Sequence, residues 1–314
     1  MNNITLPRCL SMVAISLMLT ACKAVPEVSG QAQRADPQAL ASTLLPETVT
    51  HPVPDFLLIG EVHDHPLQHG LRARWLSQLA DGSRFVLAME QFDVDQQAAL
   101  DAARARGLSA RGLAEAAGFA FHGWDWGLYE PYVQIAIQHG LPLRAANLSS
   151  AQTRAIARGQ KTVPAGVRPA DWSAQDDALQ AIEIDRGHCG LLPAPAIQAM
   201  ARAQIARDAT IADAMVRARQ SSGLPVVLLA GNGHVRLDLG VPRHLRARMP
   251  NARIFSIGLL EESDAVHAGR RPQDTGKQKL RQQSPRFDWL VMTPPHPRSD
   301  PCEAFKAHMR KKPS

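Results

Sequence analysis

The sequence predicts an α/β fold: a mostly parallel β-sheet flanked by helices, with a smaller helical subdomain beside it. Three observations carry this expectation. Unbroken apolar runs recur at 56–60 (FLLIG), 85–89 (FVLAM) and 226–230 (VVLLA), the pattern of strands buried on both faces. Amphipathic stretches separate the strands, and alternation of strand and helix builds parallel sheets. Two intervals, 93–128 and 148–194, exceed what a minimal crossover needs and leave room for inserted helices.

The elements follow in order. The first strand begins at Phe56, since Asp55 is polar and follows Pro54, and ends at Gly60. A helix over Leu67–Leu79 opens behind Asp64-His65-Pro66, with proline suited to its first turn. Phe85–Met89 is the second strand. Tyr129–His139 is helical, and Gly140 caps it. Leu141–Ala146 is the third strand. The longest helix, Pro195–Arg219, leads to the fourth strand, Val226–Ala230. Ile254–Ile257 and Phe287–Met292 complete the set. Residues 261–285 are polar and read as a mobile loop, and 306–314 as a frayed basic tail. No internal repeat is present.

The N-terminus carries a targeting signal. Arg8 precedes an apolar run of 11 residues, Leu10–Thr20, whereas a membrane-spanning helix needs about 20. The run is therefore the core of a signal peptide, residues 1–21. Leu19-Thr20-Ala21-Cys22 reads as a lipobox, which makes Cys22 the lipidation site; an ordinary cleavage site is the alternative. By resemblance to known sorting rules, Lys23 rather than Asp favours the outer membrane, with the protein facing the periplasm. Residues 22–52, rich in Ala, Pro, Gln and Ser, form a flexible tether, and 53–305 is the folded domain.

Charge is mildly basic. The net is +6 for the whole chain, and +5 once residues 1–21 and their single Arg8 are removed. No basic cluster with interleaved aromatics appears, which excludes a nucleic-acid interface. Of four cysteines, Cys9 leaves with the signal and Cys22 takes the lipid. Cys189 and Cys302 remain, as a disulfide in an oxidising compartment or as two buried thiols.

The unusual polar residues fall at strand ends. The first strand runs into Glu61 and His63, the second into Glu90-Gln91, the third into Asn147, and the fourth into Gly231-Asn232-Gly233-His234. Ligands of open parallel sheets bind at such ends, so Glu61, His63, Glu90, Asn147, Asn232 and His234 are expected to share one pocket. Singly, each is an ordinary cap, turn or salt-bridge residue. The long helix adds a stripe, Ile197, Ala201, Gln204, Asp208, Ile211 and Met215, apolar except for Gln204 and Asp208. Those two either bond a loop or pair with arginine, or else they support the pocket histidines. The segment 121–132 (FHGWDWGLYEPY) holds two of the five tryptophans and both tyrosines; such a cluster is core, or a flat surface with phenol oxygens.

These residues carry a resemblance. LLIGEVHDHPLQH (57–69), LAMEQFDVDQQ (87–97), the Trp126–Tyr132 segment, GLPLRAAN (140–147), GHCGLLP (187–193), ARAQIARDATIADAM (201–215), LLAGNGHVRLDLGVP (228–242) and DPCE (300–303) together resemble the ChaN-like haem-binding lipoproteins of the haem-binding uptake and Tiki group. The resemblance implies a parallel sheet with helices and a role in iron acquisition. It also implies haem held between two subunits and a tyrosine on the iron. Glu61, His63, His69, Glu90 and His234 match motif positions; Gln91 departs slightly. Tyr129 or Tyr132 would be the iron ligand, with Asn232 also at the cofactor. Arg72, Arg74, Arg144 or Arg207 would meet the propionates. The alternative is a metal-dependent hydrolase, like Tiki proteases or erythromycin esterases, using Glu61, His63, Glu90 and His234 around a divalent metal. A structural lipoprotein with a relict pocket is a third reading. The uptake receptor is not legible.

Overall fold

Six parallel strands form one sheet in the computed structural model, which describes residues 40, 42–161, 167–262 and 286–311. After a short turn of helix, α1 (Glu47–Thr50), come β1 (Phe56–Ile59), α2 (Pro66–Gly82) and β2 (Val86–Asp93). Next are α3 (Gln97–Ala105), α4 (Ala110–Ala116), α5 (Trp126–Gln138) and β3 (Leu143–Asn147). Then follow α6 (Ser150–Ala157), α7 (Ala174–Gly187), α8 (Ala194–Ser222) and β4 (Val226–Leu229). The chain continues through α9 (Val241–Arg248), β5 (Ile254–Glu261), β6 (Trp289–Thr293) and α10 (Pro301–Lys311).

The strand order is β3-β2-β4-β1-β5-β6. β1 pairs in parallel with β4 (Phe56 with Val226) and with β5 (Phe56 with Ile254). Side chains alternate between two cores, as the pleat requires. Leu57, Ile59, Leu87, Met89, Val227 and Leu229 face α2 and α5. Phe56, Leu58, Val86, Ala88, Val226 and Leu228 face α8 and α9. Every one of these is below a few per cent exposure, which is why their strands read as continuous apolar runs.

Boundaries shift where a local interaction claims a residue. β3 starts at Leu143, not Leu141, because Gly140 turns at φ +63° and the Leu141 N–H closes the helix end on Ala136 O at 2.8 Å. β2 runs on to Asp93 with a register shift after Met89, so Glu90 and Gln91 lie inside the strand and not past its end. β5 extends to Glu261. The edge strand β3 is shielded by Gln97, whose amide accepts from Ala145 N (2.8 Å) and donates to Leu143 O (3.2 Å).

The packed domain begins before residue 53. Leu40, Leu45, Val49 and Val53 are buried in the α2 core, and Trp75 Nε1 donates to Thr43 O at 2.8 Å. The apolar members of the stretch read as tether therefore anchor it from Leu40 on. α10 likewise orders Lys306–Lys311, read above as tail, and Cys302 at its start is disulfide-bonded to Cys189. The inserted helices α6 and α7 flank α8, with Ile156 against Ala203 and Ala206. The signal, Cys22, the tether to residue 39, and 263–285 of the polar loop lie outside the described residues. Among the described residues no helix is long and apolar enough to cross a membrane.

Candidate functional site

The polar residues at the carboxyl ends of the strands gather in two networks, one on each face of the sheet. Strand parity dictates this. Glu61 follows Leu57 and Ile59 toward α2 and α5; Glu90 follows Val86 and Ala88 toward α8.

Glu61 centres the first network. It is buried, accepts a hydrogen bond from Tyr129 Oη at 2.7 Å, and pairs with the fully buried guanidinium of Arg72. His69 joins through Nε2, 3.4 Å from the same carboxylate and 3.0 Å from His63 O. Tyr132 Oη meets His69 Nδ1 at 2.8 Å. Burial pushes His69 down to about 4, so the ring is neutral, donates from Nε2 and accepts the Tyr132 hydroxyl at Nδ1. Burial also raises both phenols, Tyr132 to about 12 and Tyr129 further. Each stays protonated and spends its hydroxyl inside the fold. Tyr129 and Tyr132, the two candidate iron ligands, are both at most 1% exposed, and the chain has no other tyrosine.

His234 centres the second network. Its Nδ1 lies 2.5 Å from Asp208 Oδ1 and its Nε2 3.3 Å from Glu90 Oε1. Gln204 approaches Nδ1 at 3.1 Å. Desolvation opposes the charged ring, but Glu90 and Asp208 outweigh it and raise His234 to about 9. His234 thus sits buried between two acidic side chains, and burial in turn raises the pKa of Asp208. Glu90 also accepts from Arg207 Nη2 (2.8 Å) and Gly231 N (2.7 Å). Desolvation pushes its pKa up, yet His234 and Arg207 hold it well below the ordinary value. Arg207 reaches Asn147 Oδ1 at 3.1 Å. The polar pair on the long helix, Gln204 and Asp208, accordingly supports a site histidine.

His63 stands over the sheet edge, touching both networks. Its Nδ1 is 2.8 Å from Glu61 Oε1, and its charge environment includes Glu90, His234 and Arg207. The side chain is 49% exposed, against 6% or less for His69 and His234. Trp124 packs edge-on at 4.8 Å. Gly231 admits the ring: a Cβ there would lie 2.6 Å from His63 Cε1. Desolvation is the first cause lowering its pKa and outweighs the opposing charge of Glu90, with His234 and Arg207 adding to it, which favours neutral imidazole. With the carboxylate accepting from Nδ1–H, the lone pair lies on Nε2, and Nε2 has no hydrogen-bond partner among the described residues.

The remaining candidates are placed as follows. Asn232 turns its amide to β5, accepting from Leu259 N at 3.0 Å and donating to Leu259 O, which extends β5's pairing where β1 has ended. Arg72 is sealed beneath Glu61, and Arg144 lies near the start of β3 at the other end of the sheet. Neither reaches this edge. Glu61 and Glu90 are committed to guanidinium groups on opposite faces. Among the described residues no three His, Cys, Asp or Glu side chains converge to hold a metal, so the metal-hydrolase alternative lacks its centre. Gln91 is buried beside Tyr129, and its amide atoms make no geometrically satisfactory hydrogen bond.

Comparison with known proteins fits this arrangement. No curated protein sequence matches the chain. Among solved structures, ChaN of Campylobacter jejuni, described with cofacial haem binding, superposes with a TM-score of 0.59 at 22% identity, over 68% of this chain and 83% of that one; the two share a fold. An erythromycin esterase mutant in its open conformation gives 0.40 at 13% identity, over 74% and 75%. A succinoglycan biosynthesis protein gives 0.37 at 14%, over 66% of each. A family model covers residues 53–245, both networks included, and the chain belongs to that family: haem-binding uptake, Tiki superfamily, ChaN.

Proposed function

We propose that this protein binds haem at the carboxyl-terminal edge of the sheet, with His63 as the iron ligand. The observation that carries the reading is the contrast between His63 and the tyrosines. His63 presents Nε2 outward while Glu61 holds Nδ1, the arrangement that fixes ring and tautomer in histidine–metal sites. Both tyrosines point inward. Trp124, Phe121 and Leu128, all partly exposed, offer an apolar shelf beside His63 for the porphyrin face. Of the arginines considered for the propionates, Arg207, 24% exposed, belongs to this edge.

The same reading makes the protein a lipid-anchored component of haem and iron acquisition. Cys22 would hold it at the outer membrane on the periplasmic side, and two copies would meet around the ligand. Cofacial binding in the Campylobacter jejuni relative supports the pairing. The test is a titration of the mature chain, Cys22→Ser, with ferric haem, followed by absorption. We expect saturable binding with a histidine-type spectrum, lost in His63→Ala and kept in Tyr129→Phe and Tyr132→Phe. Unchanged binding in His63→Ala would refute the ligand assignment; no saturable change in the wild type would refute haem binding. Sedimentation with and without haem reads the pairing, and fractionation of Cys22→Ser against wild type reads the anchor.

A further inference from the structure

A cavity with two arginines in its lining opens at the amino-terminal edge of the sheet, the end opposite His63. It has a volume of about 310 Å³ and is lined by Asp101, Arg104, Arg144, Ser221 and Ser222 among others. α3 contributes Asp101 and Arg104, the start of β3 contributes Arg144, and the end of α8 contributes the serines.

The charges here are unbalanced. Elsewhere the partly buried arginines meet carboxylates: Arg72 with Glu61, Arg207 with Glu90, Arg219 with Asp55, Arg236 with Asp238, Arg248 with Asp213. Arg104 and Arg144 form no ion pair among the described residues. Arg144 Nε is buried without a hydrogen-bond partner. Arg104 spends one nitrogen on Leu141 O. Desolvation pushes its pKa down and Arg84 adds to that, while Asp101 opposes both; Arg104 and Arg144 thus share one lining carboxylate. The lining carboxylate, Asp101, accepts from Gln97 at 2.8 Å. Buried cations ordinarily find an anion.

We propose that this cavity binds an oxyanion of the phosphate class, held between the guanidinium groups of Arg104 and Arg144. The geometry favours phosphate over carboxylate. A carboxylate is filled by one guanidinium fork, whereas a tetrahedral phosphate presents oxygens to two. Ser221 and Ser222 donate their hydroxyls to Ala218 O, so the arginines supply the donors. The phosphate can come from a soluble phosphate compound or from an anionic lipid headgroup.

The experiment uses the mature chain with Cys22→Ser. Calorimetric titration with inorganic phosphate and glycerol phosphate forms one arm; flotation with phosphatidylglycerol or phosphatidylcholine vesicles forms the other. Saturable binding is expected, weakened at least tenfold by Arg144→Gln and also by Arg144→Lys, which keeps the charge but loses the fork. The haem spectrum of each variant should match wild type, which separates failure here from failure at His63. Capture by phosphatidylglycerol vesicles that Arg144→Gln abolishes assigns the lipid headgroup; binding of free phosphate alone assigns a soluble compound. Should Arg144→Gln prove unfolded, Ser222→Glu places a carboxylate at the cavity rim and must compete the anion out. Binding indifferent to Arg144→Gln and Ser222→Glu, or no binding in either arm, overturns the proposal.

Discussion

Replacing Glu61 by alanine removes the carboxylate that faces Arg72, and both side chains of that pair are 0% exposed. Truncating one partner of a buried ion pair costs about 3–5 kcal/mol, because the remaining charge stays in a poorly polarisable interior. Arg72 keeps only weak compensation, its guanidinium lying 5.2 Å from the Tyr132 ring centre. Tyr129 also loses the acceptor 2.7 Å from its hydroxyl, about 1–3 kcal/mol more. The terms share atoms, so the sum is an upper bound; about 4 kcal/mol is expected. That is a large part of the about 5–15 kcal/mol that holds a domain folded. Urea denaturation followed by circular dichroism reads it directly. The decisive comparison is Glu61→Ala with Arg72→Met. If the cost comes from the stranded guanidinium, removing it as well recovers most of the loss. A Glu61→Ala cost below about 1 kcal/mol, or a double variant no more stable than the single one, would refute the argument.

Three further outcomes follow from the same geometry. His234, raised to about 9 from an ordinary 6.5 by Glu90 and Asp208 against desolvation, contributes stability that is complete below about pH 6.5 and lost as pH rises through about 9; unfolding midpoints should fall over that window, by an amount on the order of 3 kcal/mol, and the fall should vanish in His234→Gln. Gly231→Ala places a methyl carbon 2.6 Å from His63 Cε1; the half-exposed ring turns away, so haem affinity drops about tenfold while the unfolding midpoint moves little, and unchanged affinity would contradict the placement of His63 as ligand. Asn232→Ala breaks the paired bonds to Leu259 and should cost about 2 kcal/mol with haem affinity retained; the reverse pattern would return Asn232 to the ligand.

The sequence showed the sheet clearly because its strands are buried on both faces, so runs such as Val226–Leu229 have no polar interruption. It showed less where a residue's fate depends on distant partners. Leu141 is as apolar as a strand residue, but Gly140 commits it to closing α5. Leu45 and Val49 sit in a polar stretch without periodicity, and only Trp75 and the α2 core explain their burial. At the site, proximity to strand ends found Glu61, His63, Glu90 and His234, and helical spacing found Gln204 and Asp208. Direction was harder to read. That Glu61 and Glu90 point to opposite faces follows from strand parity, which needs the register of two strands far apart in the chain. The inward turn of both tyrosines depends on Glu61 and His69 waiting as partners on other elements.

Gln97 has a consequence for how copies of this protein can meet. The outer edge of β3 is an open row of peptide groups, and such edges invite a neighbouring chain to add a strand. By occupying Ala145 N and Leu143 O with one side-chain amide, Gln97 makes that edge a poor template. At the β3 edge, contacts between copies are thereby steered away from a continuous cross-subunit sheet.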